Sequence, residues 1–209
     1  MKLRIFEITE DLIFQCLETL QQVLPALEKN DGVMLAGGKT PLEIYRRAAS
    51  DTKGVLFLSD ERYLSVTDPQ SNYAAVSRSF PGLLKIKTEL PIEQAVQIFD
   101  AKLKKLKKIP LGLLGLGTDG HTASLFNLKD ASLRDDRLAI PVIKKEKPDR
   151  ISVTPALLHK VEKIIILATG ADKKAMIQTL LKKPETIPAG VALAGHPHVE
   201  IWTEQTINE

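Results

Sequence analysis

Short apolar runs recur along this chain, and stretches of helical periodicity separate them. Val33–Ala36, Val55–Ser59, Leu111–Leu116 and Ile164–Ala168 are each a few residues long, apolar throughout, and followed by glycine or polar turns. Such runs suit strands buried on both faces of a parallel sheet. Between them, residues 11–29 place apolar side chains at helical spacing, with Pro25 expected to kink or restart the helix. Residues 41–49, 92–108, 121–127 and 172–183 are further helix candidates, and Leu138–Ile143 and Val199–Trp202 read as extra strands. Strand–helix alternation of this kind predicts an α/β fold. The expected form is a doubly wound, mostly parallel sheet with helices on both faces, a Rossmann-like three-layer sandwich. No repeat, linker or low-complexity segment divides residues 1–209, so one domain is expected.

In such folds ligands sit beyond the carboxyl ends of the strands. The unusual residues should therefore follow the apolar runs, and four loops meet that expectation. The first, AGGKTP, carries Gly37, Gly38, Lys39 and Thr40. Two glycines before a helix let backbone N–H groups approach an anion, and Lys39 adds a full charge. Thr40 reads as the N-cap, with Pro41 at the first helical position and Glu43 closing a capping box. A plain tight turn before a well-capped helix explains the same residues.

The second loop, SDERYLSVTDPQSN, sets Asp60, Glu61 and Arg62 side by side where a buried strand emerges. Loop bracing is one reading; a polar site is the other. Asn72 has the turn chemistry and the reach to meet a ligand hydroxyl.

The third, GLGTDGHTASLF, contains Gly115, Gly117 and Gly120 at dinucleotide-loop spacing. Asp119 opposes that reading, because it would sit where pyrophosphate charge belongs. The acidic residue expected about 20 positions on, after the next strand, is also missing. His121 instead falls at an expected helix start, where the dipole favours neutral imidazole. Asp119, two residues earlier, is placed to orient the ring or to bind substrate hydroxyls, so this loop reads as chemistry rather than anchorage. A helix-capping histidine is the plainer alternative. The fourth loop pairs Arg150, which opens RISVT, with Lys174 in GADKKA; each is ordinary alone, and together, on neighbouring strand–helix units, they could complete a phosphate clamp.

Composition narrows the function classes. Lys and Arg total 29 against 26 Asp and Glu, a formal charge of +3, which suits a small anionic ligand and does not argue for nucleic acid. The run KLKKLKK at 102–108 interleaves Leu103 and Leu106 in line with Ala95 and Phe99, an amphipathic helix with a solvated face. The single cysteine, Cys16, cannot form an internal disulfide and fits a reducing compartment. No apolar run reaches the ~18 residues of a membrane span. Glu7, Glu10 and Asp11 stand where a secretory leader is apolar, so a soluble cytoplasmic protein is expected, with no membrane partner. His196 and His198 lie two apart without a completing ligand set, and His159 reads as a helix-end residue; no metal is expected.

Taken in order, AGGKTP, SDER with DPQSN, GLGTDGHTASLF, RISVT and GADKKA closely resemble the 6-phosphogluconolactonase family, over residues 33–175. They are more distantly similar to the glucosamine-6-phosphate deaminases. The resemblance implies a sugar-phosphate-binding α/β sandwich that hydrolyses 6-phospho-D-glucono-1,5-lactone. That is a step of the oxidative pentose phosphate route, with a phosphosugar lactone as partner and no cofactor. It places the phosphate on Gly38, Lys39, Thr40, Arg150 and Lys174, and the catalytic histidine at His121, with Asp119 and Asp60 beside the sugar. Arg62 is a candidate oxyanion donor. The pattern departs from the family at Lys39, where serine is commoner, and at Thr118, where proline is frequent.

Three rivals remain at this level, the most remote a dinucleotide-dependent oxidoreductase. A deaminase carries glutamate five residues after the histidine; here that position is Phe126, which transfers no proton. A sugar-phosphate sensor needs a DNA-binding module, and no basic helix-turn-helix pattern precedes residue 33. A monomer or weak homo-oligomer is expected.

Overall fold

The computed structural model describes residues 1–48 and 52–207. In chain order the elements are β1 (Lys2–Ile5), α1 (Thr9–Ala26), β2 (Asp31–Leu35), α2 (Lys39–Arg47), β3 (Val55–Leu58), β4 (Asp60–Arg62), α3 (Asn72–Val76) and α4 (Ile92–Leu103). Then come β5 (Lys108–Gly115), α5 (Leu128–Ala131), β6 (Ala139–Val142), β7 (Arg150–Val153), α6 (Pro155–Leu158), β8 (Val161–Leu167), α7 (Lys174–Lys182), α8 (Pro188–Ala192) and β9 (Val199–Thr203).

Six strands form one sheet in the order β1-β9-β8-β5-β2-β3. Every neighbouring pair in it is parallel. Successive side chains on a strand point to opposite faces, and the core divides accordingly. Met34, Leu114, Ile164, Ile166 and Ile201 pack on one face with Val96, Phe99 and Leu103 of α4 and with Ile177 and Leu180 of α7. Val33, Leu35, Leu111, Leu113, Ile165, Leu167 and Trp202 pack on the other, with Leu12, Cys16, Leu20 and Leu24 of α1 and with Ile44 and Tyr45 of α2. The parallel sheet is thus buried between helices on both sides, the three-layer, Rossmann-like architecture expected from the alternation.

From β2 the chain passes outward to β3, and from β5 it passes the other way to β8. The strand order therefore reverses between β2 and β5, and a crevice opens there beyond their carboxyl ends.

Four local expectations are corrected. Pro25 neither kinks nor restarts α1; it lies in the last turn, and the helix ends one residue later. α2 runs from 39 to 47 rather than from 41 to 49, and residue 49 lies outside the described residues. α4 stops at Leu103, because the chain must turn back to enter β5 at Lys108; Leu106 still packs on the core. No helix forms over residues 121–127, which make a loop closed by a Thr122–Leu125 bridge.

A second, antiparallel sheet in the order β4-β7-β6 was not expected. It takes in the 138–143 segment, whereas Val199–Trp202 joins the main sheet between β8 and β1. β4 follows β3 after one residue, Ser59, whose amide bonds to Leu35 O and whose carbonyl accepts from Val153 N–H. That joint carries the charged DER triplet over the crevice.

Candidate active site

The loops after β2, β3, β5 and β8 converge on one cleft with two lobes. The smaller lobe, about 270 Å³, is walled by Asp60, Arg62, Asn72 and His121. The larger, about 620 Å³, is walled by Lys39, Thr40, Thr169 and Glu204. Gly37, Gly38, Gly115, Leu116 and Lys173 border both.

The Gly37–Gly38 turn is shaped by close approach. A Cβ on Gly37 would meet Asn72 Oδ1 at 2.3 Å, and Gly38 has φ +104°, the left-handed region that favours glycine. Gly38 itself is the N-cap of α2, and no side chain caps that terminus. This corrects the expectation for Thr40. It is the second helical residue, and its hydroxyl pairs with Thr169 Oγ1 at 2.6 Å across the cleft. Glu43 closes no capping box; it pairs with Arg46 and Arg47. The first N–H groups of α2 and Lys39 therefore stand at the larger lobe, an arrangement that suits an anion, although Asp172 and Glu204 border the same lobe.

Adjacent residues of β4 divide the work. Asp60 lines the smaller lobe and accepts from Ser59 Oγ at 3.1 Å and Ser124 Oγ at 2.6 Å. Glu61 is 1% exposed and points the other way. It accepts from the amides of Arg62, Asn72 and Tyr73 and from Ser71 Oγ, at 2.6–3.1 Å. Burial raises its pKa, and those four hydrogen bonds only partly offset the rise. Asn72 lines the lobe, but its Nδ2 is committed to Asp60 O at 3.0 Å. Arg62 faces the lobe with one Nη1 bond to Gln70 O.

The Gly117–His121 turn closes on itself. Gly117 N–H donates to His121 O at 2.8 Å, and Gly120, at φ +82°, donates to Gly117 O at 3.0 Å. His121 Nδ1 lies 2.5 Å from Asp119 Oδ1, and its ring rests on Phe126 with centroids 4.5 Å apart. Burial works against ionised Asp119, but the bonds from the His121 ring and amide outweigh it and hold its pKa below the usual carboxylate value. A carboxylate only accepts, so Nδ1 carries a proton, and in the neutral imidazole Nε2 holds the lone pair. No helix starts at His121, so the expected dipole effect is absent; Asp119 orients the ring instead. The dinucleotide-like glycine spacing also has its explanation here. A Cβ on Gly117 would meet His121 Nδ1, and one on Gly120 would meet Ile187 at 2.7 Å.

The fourth loop delivers a different lysine. Lys173 borders both lobes, whereas Lys174, the first residue of α7, lines neither. Arg150 also lies outside the lining; it faces Arg62 in register across β7 and β4. Burial, and then the neighbouring Arg62 charge, push its pKa below the usual arginine value. The cations at the cleft are thus Lys39, Lys173 and Arg62, with Arg150 behind Arg62. Lys173 was missed because the two adjacent lysines are equivalent in a pattern; only the turn at 171–173 decides which one faces inward.

Of the remaining histidines, His196 is buried and structural, and His159 and His198 are exposed. His196 Nε2 donates to Val161 O at 2.8 Å and its Nδ1 accepts from His198 N–H at 3.1 Å. Among the described residues no cluster of three or more His, Cys, Asp or Glu has metal-binding geometry. No helix there is long and apolar enough to cross a membrane.

Comparison with known proteins places this arrangement. The family model described as glucosamine-6-phosphate isomerases/6-phosphogluconolactonase matches residues 7–202. A probable 6-phosphogluconolactonase of Drosophila melanogaster is 30% identical over 194 residues, which cover 82% of this chain and 79% of the relative. The crystal structure of 6-phosphogluconolactonase from Thermotoga maritima superposes with a TM-score of 0.81 at 24% identity, over 97% of this chain and 98% of that one. A monomeric glucosamine-6-phosphate deaminase superposes with a TM-score of 0.80 at 18% identity, over 97% of each chain. The fold is therefore common to both activities, and the site residues must distinguish them.

Proposed function

This chain belongs to the glucosamine-6-phosphate isomerase/6-phosphogluconolactonase family, and from that premise we propose that it hydrolyses 6-phospho-D-glucono-1,5-lactone to 6-phosphogluconate. The observation that carries the reading is the Asp119–His121 pair, with Nδ1 held at 2.5 Å, on the same cleft as the Gly37–Gly38 turn and Lys173. The phosphate lies against the uncapped start of α2, between Lys39 and Lys173. The lactone carbonyl then lies in the smaller lobe, beside His121.

In this mechanism His121 Nε2 takes a proton from a water as the water oxygen bonds to C1. Arg62 stabilises the oxyanion that forms there. When the C1–ring oxygen bond breaks, the imidazolium returns its proton to the leaving oxygen. The new carboxylic acid loses its proton to solvent. Asp119 holds the ring in the reactive tautomer throughout, and Asp60 accepts from a sugar hydroxyl. General acid–base help of this kind contributes ~10²–10⁴-fold, and the phosphate clamp contributes positioning.

Phe126 supports hydrolysis over deamination. Its ring packs on His121 at 4.5 Å, and it holds the position, five residues after the histidine, at which the similar deaminase motif carries glutamate. Cys16 is fully buried, and burial raises its thiol pKa to about 12; such an inert cysteine suits the cytoplasm, the compartment we propose.

The deciding assay follows loss of freshly prepared lactone against its spontaneous hydrolysis, with ammonia release from glucosamine 6-phosphate measured in parallel. Acceleration of the first and none of the second is expected. Ammonia release, or lactone loss at the background rate, overturns the reading.

A further inference from the structure

One carboxylate on the cleft wall belongs to none of the four loops. Glu204 follows β9 and borders the larger lobe. Its Oε1 accepts from Gly170 N–H at 2.7 Å and from Gln205 Nε2 at 2.8 Å. Gly170 sits at φ +99° and begins the turn whose last residue is Lys173. Lys173 N–H in turn bonds to Gly170 O at 3.0 Å. The path from Glu204 to the lysine is thus two hydrogen bonds long and passes through one glycine.

The other oxygen, Oε2, is buried and has no hydrogen-bond partner among the described residues. A glutamate kept only to hold a turn would leave its second oxygen in water, because a desolvated charge is costly. Here it is shut into a wall that also carries Lys39 and Lys173. The Lys173 ammonium lies 3.3 Å from Asp172, whose side chain is 60% exposed, while that of Lys173 is 22% exposed and reaches inward.

We propose that Glu204 is a positioning residue of the anion site: its Oε1 fixes the Gly170–Lys173 turn so that the Lys173 ammonium enters the cleft, and its buried Oε2 supplies counter-charge that tempers the cleft's grip on a phosphate. The assignment rests on the phosphate-clamp part of the function proposed above. The two oxygens act in opposite directions on anion affinity, and substitutions separate them. Glu204→Gln keeps an acceptor for Gly170 and removes the charge. Glu204→Ala removes both.

The test is calorimetric binding of 6-phosphogluconate and of inorganic phosphate to the whole protein, in a double-mutant cycle with Lys173→Ala. Glu204→Gln should bind both at least twofold more tightly than wild type. Glu204→Ala should bind at least threefold more weakly, with its lactonase loss in KM rather than kcat. In the Lys173→Ala background only the lost charge remains, so Glu204→Ala should tighten binding about as Glu204→Gln does rather than weaken it. Additive effects in the cycle, or Gln and Ala variants that behave alike while Lys173 is present, overturn the proposal. Inorganic phosphate probes the cation wall whatever sugar the enzyme uses. A wild type that binds phosphate without hydrolysing lactone therefore overturns the reaction and leaves Glu204 to be judged by the cycle.

Discussion

The imidazole of His121 lies so close over Gly117 that a methyl group there would come within 2.2 Å of Nδ1 and 2.5 Å of Asp119 Oδ1. The turn is glycine-rich because side chains fold back over its own backbone. No phosphate is needed to explain it. Gly117→Ala should therefore push the Asp119–His121 pair out of register while leaving the phosphate end of the cleft intact. A fall of ~10²-fold in kcat is expected, of the size that misplacing a catalytic group brings, with 6-phosphogluconate affinity within threefold of wild type by calorimetry. Unchanged kcat would separate His121 from the chemistry.

Asp119→Asn should retain a hydrogen-bonding partner for the ring but release the tautomer, because an amide donates as well as accepts. We expect kcat to fall ~10–10²-fold and His121→Ala to cost ~10²–10⁴-fold, both with little change in KM. The pH dependence has a definite sign. Asp119 is held below its usual value, so the stability it contributes is present above the unfolded carboxylate value and is lost as pH falls through the folded one. Thermal unfolding of wild type and Asp119→Asn should therefore differ most at neutral pH. The two should converge only below the ordinary aspartate range. Solvent exposure of the carboxylate keeps the difference small. Convergence already at pH 6 would contradict the pairing.

The three-layer sandwich could be read from the chain because its strands are apolar on both faces, and a run such as Ile164–Ala168 has few other places to go. The small second sheet could not, since β4 is three charged residues whose strand geometry comes from pairing with β7, not from pattern. The site divides in the same way. Gly37, Asp60 and His121, which follow β2, β3 and β5, were visible as oddities after apolar runs and do border one cleft. Choices between neighbouring residues within a turn were not. Choosing Gly38 over Thr40 as the cap needs the left-handed φ, and choosing Lys173 over Lys174 needs the 171–173 turn. The role of Glu204 required contacts between distant loops.

The two adjacent lysines make a sharp comparison. Lys173 borders both lobes and Lys174 neither. A hydrogen bond to a charged group is worth ~1.5–3 kcal/mol, so Lys173→Ala should raise KM and the 6-phosphogluconate Kd by roughly ten- to a hundredfold. Lys174→Ala should change either by less than twofold. Steady-state kinetics on both variants decide the matter, and the reverse ranking would restore Lys174 to the clamp.

Glu61 is the residue whose loss should cost stability rather than chemistry. It ties β4 to the start of α3 through four donors while 1% exposed. Glu61→Ala strands those donors, and at ~1–3 kcal/mol for each buried group left unpaired the total should exceed about 3 kcal/mol in urea unfolding. Glu61→Gln keeps one acceptor oxygen and should lose less. Because burial holds the wild-type carboxyl above its usual value, the folded state binds that proton more tightly than the unfolded chain does. Its contribution is full below the unfolded value and declines as pH rises through the folded one. The advantage of wild type over Glu61→Gln should therefore shrink across that window. An advantage that grew with pH would mean that the four hydrogen bonds outweigh desolvation, and that the carboxylate is held for its charge.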